Sequence, residues 1–174
     1  FAFQRAGLKP DLISLSKGLT GGFLPMGVTM SSKRISEGFL GEDPKQTFWH
    51  GHSFTANPLG CAAANASLDL LEKFPQKYLD FESRHLPHLE KIVKDSRVEN
   101  PRITGTIAAF NIKVKGKKGY LSSVGKIMKA SALKVGVFIR PLGDVVYLMP
   151  PLCITDEELE KCYFGLQEGL NSLS

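Results

Sequence analysis

The sequence predicts an α/β protein in two parts, residues 1–97 and a smaller α/β unit of residues 98–174. Three observations carry this. Short apolar runs bounded by glycine and proline alternate with segments of helical spacing. The pattern changes near residues 95–101, after which it reads strand, strand, helix, strand, helix. A chain of 174 residues with 43% hydrophobic content can build a core and is not disordered.

Residues 1–10 read as the tail of a loop, with Gly7 and Pro10 as breakers. A short apolar strand, Leu12–Leu15, then runs onto the glycine-rich turn Lys17-Gly-Leu-Thr20-Gly-Gly22. Val28 to Met30 suits a second strand, and Ser31-Ser32 should cap a brief helix over residues 33–39. A polar loop, 41–46, leads into Thr47-Phe-Trp-His-Gly-His-Ser-Phe-Thr-Ala-Asn57. Asn57-Pro58 is a helix start, asparagine as cap and proline at the first helical position, for a helix over 59–74. Its small residues Gly60, Ala62, Ala63, Ala64 and Ala66 would allow close packing on a sheet or partner. A second helix is expected over 76–94, with Leu79, Leu86, Leu89 and Val93 inward and a kink at Pro87. Beyond the boundary, residues 103–114 form strand structure broken at Gly105, and residues 122–134 a helix. Val137 to Ile139 and residues 145–149 are strands around Arg140-Pro-Leu-Gly143. Thr155-Asp-Glu-Glu158 is a capping box opening a last helix with Leu159, Tyr163, Leu166 and Leu170 on one face.

Composition excludes several classes. Lys plus Arg number 22 against 17 acidic residues, a net charge of +5, but the charges are scattered. The one cluster, Lys113, Lys115, Lys117 and Lys118, flanks a glycine turn and reads as a solvated hairpin tip rather than a nucleic-acid site. The three cysteines, Cys61, Cys153 and Cys162, show neither CxxC nor a metal-ligand pattern and fit reduced thiols in a cytoplasmic protein. No apolar run reaches the roughly 18 residues of a membrane helix, and the N-terminus has no signal-peptide pattern. The chain opens on Phe1 rather than methionine, as a fragment would.

Three stretches carry candidate chemistry. A lysine delivered by a strand onto a glycine turn at the rim of an apolar site sheds solvation and becomes a nucleophile able to form a Schiff base with an aldehyde. Lys17 is placed for this, or it simply ends the strand in water. In the loop before the helix, Ser53 offers a hydroxyl beside backbone N–H groups, a setting for a phosphate. His50 and His52 form a His-x-His pair without a third ligand, too little for a metal. Arg140 ends an apolar strand where its fork of donors can grip a carboxylate; the alternative is a structural arginine paired with Asp144 or with helix carbonyls. Ser14-Leu-Ser-Lys17 also matches a Ser-x-x-Lys motif, but on a strand Ser14 and Lys17 face opposite ways and the companion motifs are absent.

The stretches Pro10-Asp11-Leu-Ile-Ser-Leu-Ser-Lys17-Gly-Leu-Thr-Gly-Gly22, His50-Gly-His-Ser53-Phe-Thr-Ala-Asn57-Pro-Leu-Gly-Cys61 and Arg102-Ile-Thr-Gly105 together closely resemble the class III pyridoxal-phosphate-dependent aminotransferases of fold type I. Ile139-Arg140-Pro-Leu-Gly-Asp-Val-Val-Tyr147-Leu-Met-Pro150-Pro151 looks most like the branch of that family that serves biotin biosynthesis by aminating 8-amino-7-oxononanoate. The resemblance implies the C-terminal part of such a transferase: residues 1–97 within a large mixed-sheet domain, residues 98–174 as the small C-terminal domain. It implies pyridoxal 5'-phosphate on Lys17, which then shuttles the proton. Ser53 stands where the family usually has threonine, as a phosphate ligand reaching the neighbouring subunit's site, with Gly51 and His52 in the same loop. Arg140 would bind the acceptor's carboxylate, with Leu142, Tyr147 and Gly51 shaping the substrate pocket.

A homodimer with its active site at the subunit interface follows from the resemblance, with small-molecule substrates and neither nucleic acid nor membrane as partner. His52 replaces a proline of the biotin-branch pattern, which leaves S-adenosylmethionine and lysine both open as amino donor. Related readings are an ω-amino acid, ornithine or acetylornithine transaminase, and, from another class, a non-catalytic basic module binding anions through Lys113 to Lys118. The upstream phosphate cradle, the ring-stacking aromatic and the aspartate facing the pyridinium nitrogen are missing. The 174 residues alone are therefore expected not to catalyse transamination, the N-terminal portion being supplied by the same or another polypeptide.

Overall fold

A computed structural model of the chain describes residues 1–173 apart from Lys115, Lys117 and Lys118, with Lys77 and Tyr78 described in backbone only. The three lysines of the expected basic turn thus lie outside the described residues, while Lys113 donates to the Ser96 carbonyl at 2.7 Å. Packing divides the chain into two compact units, Phe1–Lys73 and Phe74–Ser174, earlier than the change of pattern at residues 95–101.

In the first unit a short helix, α1 (Ala2–Arg5), precedes the antiparallel pair β1 (Leu12–Leu15) and β2 (Val28–Ser31), in register from Leu12 opposite Ser31 to Leu15 opposite Val28. The helix expected over 33–39 is one turn, α2 (Lys33–Ser36), tightening into a 3-10 turn at Glu37–Phe39. Ser32 does not cap it: its hydroxyl donates to Asp11 Oδ1 at 2.8 Å, and Arg34 pairs with Asp11 Oδ2 at 2.9 Å. The long helix α3 (Pro58–Lys73) starts as read, Asn57 Oδ1 accepting from Leu59 N at 2.9 Å and Gly60 N at 3.2 Å. Of its small face only Gly60 and Ala64 are buried; Ala62 and Ala66 are exposed.

The second unit holds the hydrophobic core. Three antiparallel strands in the order β3 (Val98–Thr104), β4 (Ile107–Ile112), β5 (Val145–Leu148) carry Ala108, Phe110, Ile112, Val146 and Leu148 inward. α5 (Phe81–Ile92), α6 (Val124–Lys134) and α7 (Asp156–Asn171) complete the core. The first strand after the expected change of pattern starts at Val98 rather than at residue 103, with Pro101 at its bulged register. The helix expected over 76–94 breaks at Asp80 into α4 (Gln76–Leu79) and α5, not at Pro87, which lies inside α5. The buried face of α5 is Phe81, His85, Leu89 and Ile92, whereas Leu79, Leu86 and Val93 are exposed. Counting leucines missed it because an aromatic and a histidine occupy the inward positions. Val137 and Ile139 are buried but pair in no strand. The Thr155 capping box forms, with Glu158 N to Thr155 Oγ1 at 3.2 Å and Thr155 N to Glu158 Oε2 at 2.9 Å. Leu159, Tyr163, Leu166 and Leu170 are all buried, as the spacing predicts. Among the described residues no helix is long and apolar enough to cross a membrane.

Candidate active site

Lys17 sits where the sequence puts it, at the turn leaving β1. Ser16 is extended, and Lys17 then takes φ +52°, the left-handed region that a side-chain-bearing residue enters at a cost of about 1–2 kcal/mol. A 3-10 turn, Lys17–Thr20, follows and closes on Gly21 at φ +63°. Thr20 locks it from inside: buried, its hydroxyl donates to the Leu24 carbonyl at 2.6 Å and accepts Leu24 N–H at 3.4 Å. α3 backs the turn, with Ser67 beside Gly21. The Lys17 side chain is exposed and makes no hydrogen bond or ion pair among the described residues, so the apolar rim expected around it is not supplied by its own unit.

The loop ahead of α3 is folded by its own bonds. His52 N donates to Thr55 Oγ1 and Thr55 N to the His52 carbonyl, both at 3.0 Å, and Asn57 N to the Phe54 carbonyl at 3.2 Å. Ala56 is left-handed at φ +56°. Phe54 N donates to His52 Nδ1 at 3.1 Å, so the neutral ring is the Nε2–H tautomer and presents a donor outward. The α3 amides nearest the cap are taken by Asn57, but at the exposed tip of the loop Ser53 N–H and Oγ–H and the Gly51 N–H have no partner among the described residues. Unbonded donors held on a turn whose shape is fixed by other bonds are of the kind that can receive an anion. A cleft of about 680 Å³ in the same unit is lined by Met26, Phe48, His50, His52, Phe54 and Asn57, among others. Lys17 and Ser53 do not line it.

Arg140, Leu142 and Tyr147 belong to the second unit. Arg140 follows buried Ile139, is exposed, and makes no hydrogen bond or ion pair among the described residues. The pairing with Asp144 that would make it structural is absent, because Asp144 is buried with Oδ2 accepting Gly119 N–H at 2.9 Å. Leu142 is exposed and bridged to Val145 through Leu142 N to Val145 O at 2.8 Å and Val145 N to Leu142 O at 3.1 Å. Tyr147, half-buried and opposite Ala109 of β4, lies two residues on along β5. Two structural bonds at these turns were not foreseen from the sequence, that of Thr20 with Leu24 and that of Asp144 with Gly119. The signal for each was a hydrogen-bonding side chain inside a glycine-containing turn.

A family model described as class-III aminotransferase matches residues 1–170. The chain is 47% identical over 173 residues to adenosylmethionine-8-amino-7-oxononanoate aminotransferase of Synechococcus elongatus, spanning 99% of this chain and 41% of that protein. The crystal structure of the enzyme of the same name from Methanocaldococcus jannaschii superposes with a TM-score of 0.79 at 32% identity, over 95% of this chain and 40% of that one. An amine transaminase from an uncultivated Pseudomonas species, solved with pyridoxal phosphate bound, gives 0.85 at 27% identity over 97% and 40%. The chain thus spans about two-fifths of the length of the relatives it matches. With nearly every residue inside the family model, and in the order of its relatives, the chain belongs to the class-III aminotransferases.

Proposed function

We propose that the chain is the part of a pyridoxal-phosphate-dependent aminotransferase that carries its lysine, and that the enzyme aminates 8-amino-7-oxononanoate to 7,8-diaminononanoate in biotin biosynthesis. The observation that carries this is the 47% identity, across 99% of the chain, to a relative bearing that enzyme's name. The donor set fits the cofactor: an unpaired amine on a strained turn, and a loop tip of unbonded N–H and O–H groups. Bound pyridoxal phosphate supplies the electron sink that lets a proton leave the carbon bearing the amino group. Lys17 holds the cofactor and, when released, takes and returns that proton at Nζ. Ser53 N–H and Oγ–H, with His52 Nε2–H, donate to the phosphate, and Gly51 lets the loop approach closely. Arg140 grips the acceptor's carboxylate at two points, while Leu142 and Tyr147 flank its aliphatic chain.

In this reading the Ser53 loop serves a neighbouring subunit of a cytoplasmic homodimer, and the remaining portion of the family's length completes each site. S-adenosylmethionine or lysine gives the amino group. Borohydride reduction of the complete enzyme with pyridoxal phosphate, followed by peptide mapping, tests it. A pyridoxyl group on Lys17 is expected, and label on a different lysine refutes the assignment. Comparison of 8-amino-7-oxononanoate with ornithine-type and ω-amino acid-type partners separates this reading from the related transaminases.

A further inference from the structure

Two opposite charges stand four residues apart in Arg140-Pro-Leu-Gly-Asp144, and the fold keeps them separate. Asp144 is 6% exposed. Its Oδ2 accepts Gly119 N–H at 2.9 Å, its backbone carbonyl accepts Ile112 N–H at 2.9 Å, and its Oδ1 is buried with no hydrogen-bond partner among the described residues. The turn is clamped from a second side. Gly125, in the first turn of α6, donates its N–H to the Gly143 carbonyl at 3.0 Å. A Cβ on Gly125 would come within 2.6 Å of that carbonyl oxygen and 2.8 Å of Pro141 Cβ. Gly143, at φ +65°, leaves no room for a side chain against Gly119. Arg140, at the start of the same turn, is exposed and unpaired among the described residues.

An aspartate free to swing onto Arg140 would offer it a permanent internal carboxylate, in competition with that of a substrate. An aspartate committed to Gly119 cannot. We propose that Asp144 is a positioning residue for Arg140: anchored on the Gly119 amide, it fixes the 140–144 turn against α6 and leaves the guanidinium open to an incoming carboxylate. This rests on the reading of Arg140 as the grip on the acceptor's carboxylate.

The test uses the complete enzyme with the keto acid acceptor and its methyl ester, which lacks the charge. R140A raises KM for the acid and leaves KM for the ester. D144A raises KM for the acid about ten-fold or more with kcat within roughly two-fold and the ester unaffected, the signature of a lost binding geometry. D144N, which keeps an oxygen for Gly119 N–H, restores most of the loss. G125A pushes on the turn from α6 without touching either charge and gives the same acid-specific rise, so it decides the matter should D144A fail to fold. If R140A discriminates between acid and ester but neither D144A nor G125A does, the role of Asp144 is overturned and the reading of Arg140 stands. If R140A does not discriminate, both fall.

Discussion

Removing one oxygen atom, in Tyr163→Phe, should weaken the second unit by far more than a surface hydroxyl would. His85 is 0% exposed, with Nε2 3.1 Å from the Thr106 carbonyl and Nδ1 2.8 Å from the Tyr163 hydroxyl. A carbonyl only accepts, so Nε2 carries the proton and Nδ1 of the neutral ring must receive one from Tyr163. The phenylalanine variant keeps the ring that stacks on His88 at 4.7 Å, so packing is retained while a buried acceptor loses its donor. The cost of that orphan is about 1–3 kcal/mol, or roughly 4 °C or more in the midpoint of a domain this size.

The same network sets a pH dependence. Burial above all, with the cations Arg84 and His88 adding to it, lowers the His85 pKa from 6.5 against the opposing Thr106 hydrogen bond. The unfolded chain then binds the proton first as pH falls, so the stabilisation is fully present above about 6.5 and declines below it. His88, lowered chiefly by burial as well, works in the same direction. Urea unfolding at pH 7.5 and in steps below 6.5, on wild type and Tyr163→Phe, measures both effects. A wild-type stability that does not fall below pH 6.5, or a variant as stable as wild type at pH 7.5, refutes the tautomer and the network drawn from it.

Ser53→Ala should weaken pyridoxal phosphate binding to the complete enzyme by about ten-fold, as expected for loss of a hydrogen bond to a charged group, while Ser53→Thr is tolerated. Fluorescence titration with pyridoxal phosphate and with phosphate-free pyridoxal checks it, and only the former should respond. Leu170→Ala empties a fully buried position of α7 and should cost about 2–5 kcal/mol in urea unfolding of the chain.

Local chemistry was readable wherever a few adjacent residues decide the outcome. The strand before Lys17, the Asn57-Pro58 start of α3 and the Thr155 capping box depend on neighbours within one turn, and each formed as read. Long-range packing was not readable in the same way. Nothing within α5 says that His85 rather than Leu86 faces inward; that is set by Thr106 and Tyr163, 21 and 78 residues away in sequence. Ser32 looked like a cap because the motif is local, yet Asp11, 21 residues earlier, takes its hydroxyl. The partner of Arg140 was ambiguous for the same reason: Gly119, 25 residues upstream of Asp144, captures the carboxylate. Lys17 and the Ser53 loop were singled out from residue type and turn chemistry, whereas the free state of the Ser53 donors and the outward proton of His52 needed the bonding pattern of the whole loop.

The first unit carries a further consequence in its sparse interior. Among its described residues only Thr20, Gly60 and Ala64 are buried, while Phe23, Trp49 and Phe54 are 76%, 81% and 76% exposed. Burial this small does not by itself offset the ordering of 73 residues; in the enzyme proposed above, the remaining portion and the neighbouring subunit would cover these rings. Trp49 is the chain's one tryptophan, pinned through Nε1 to the Pro44 carbonyl at 3.0 Å with its ring facing solvent. It is thereby a built-in optical reporter of the proposed assembly, its emission expected to shift to the blue where association shuts water away from the indole.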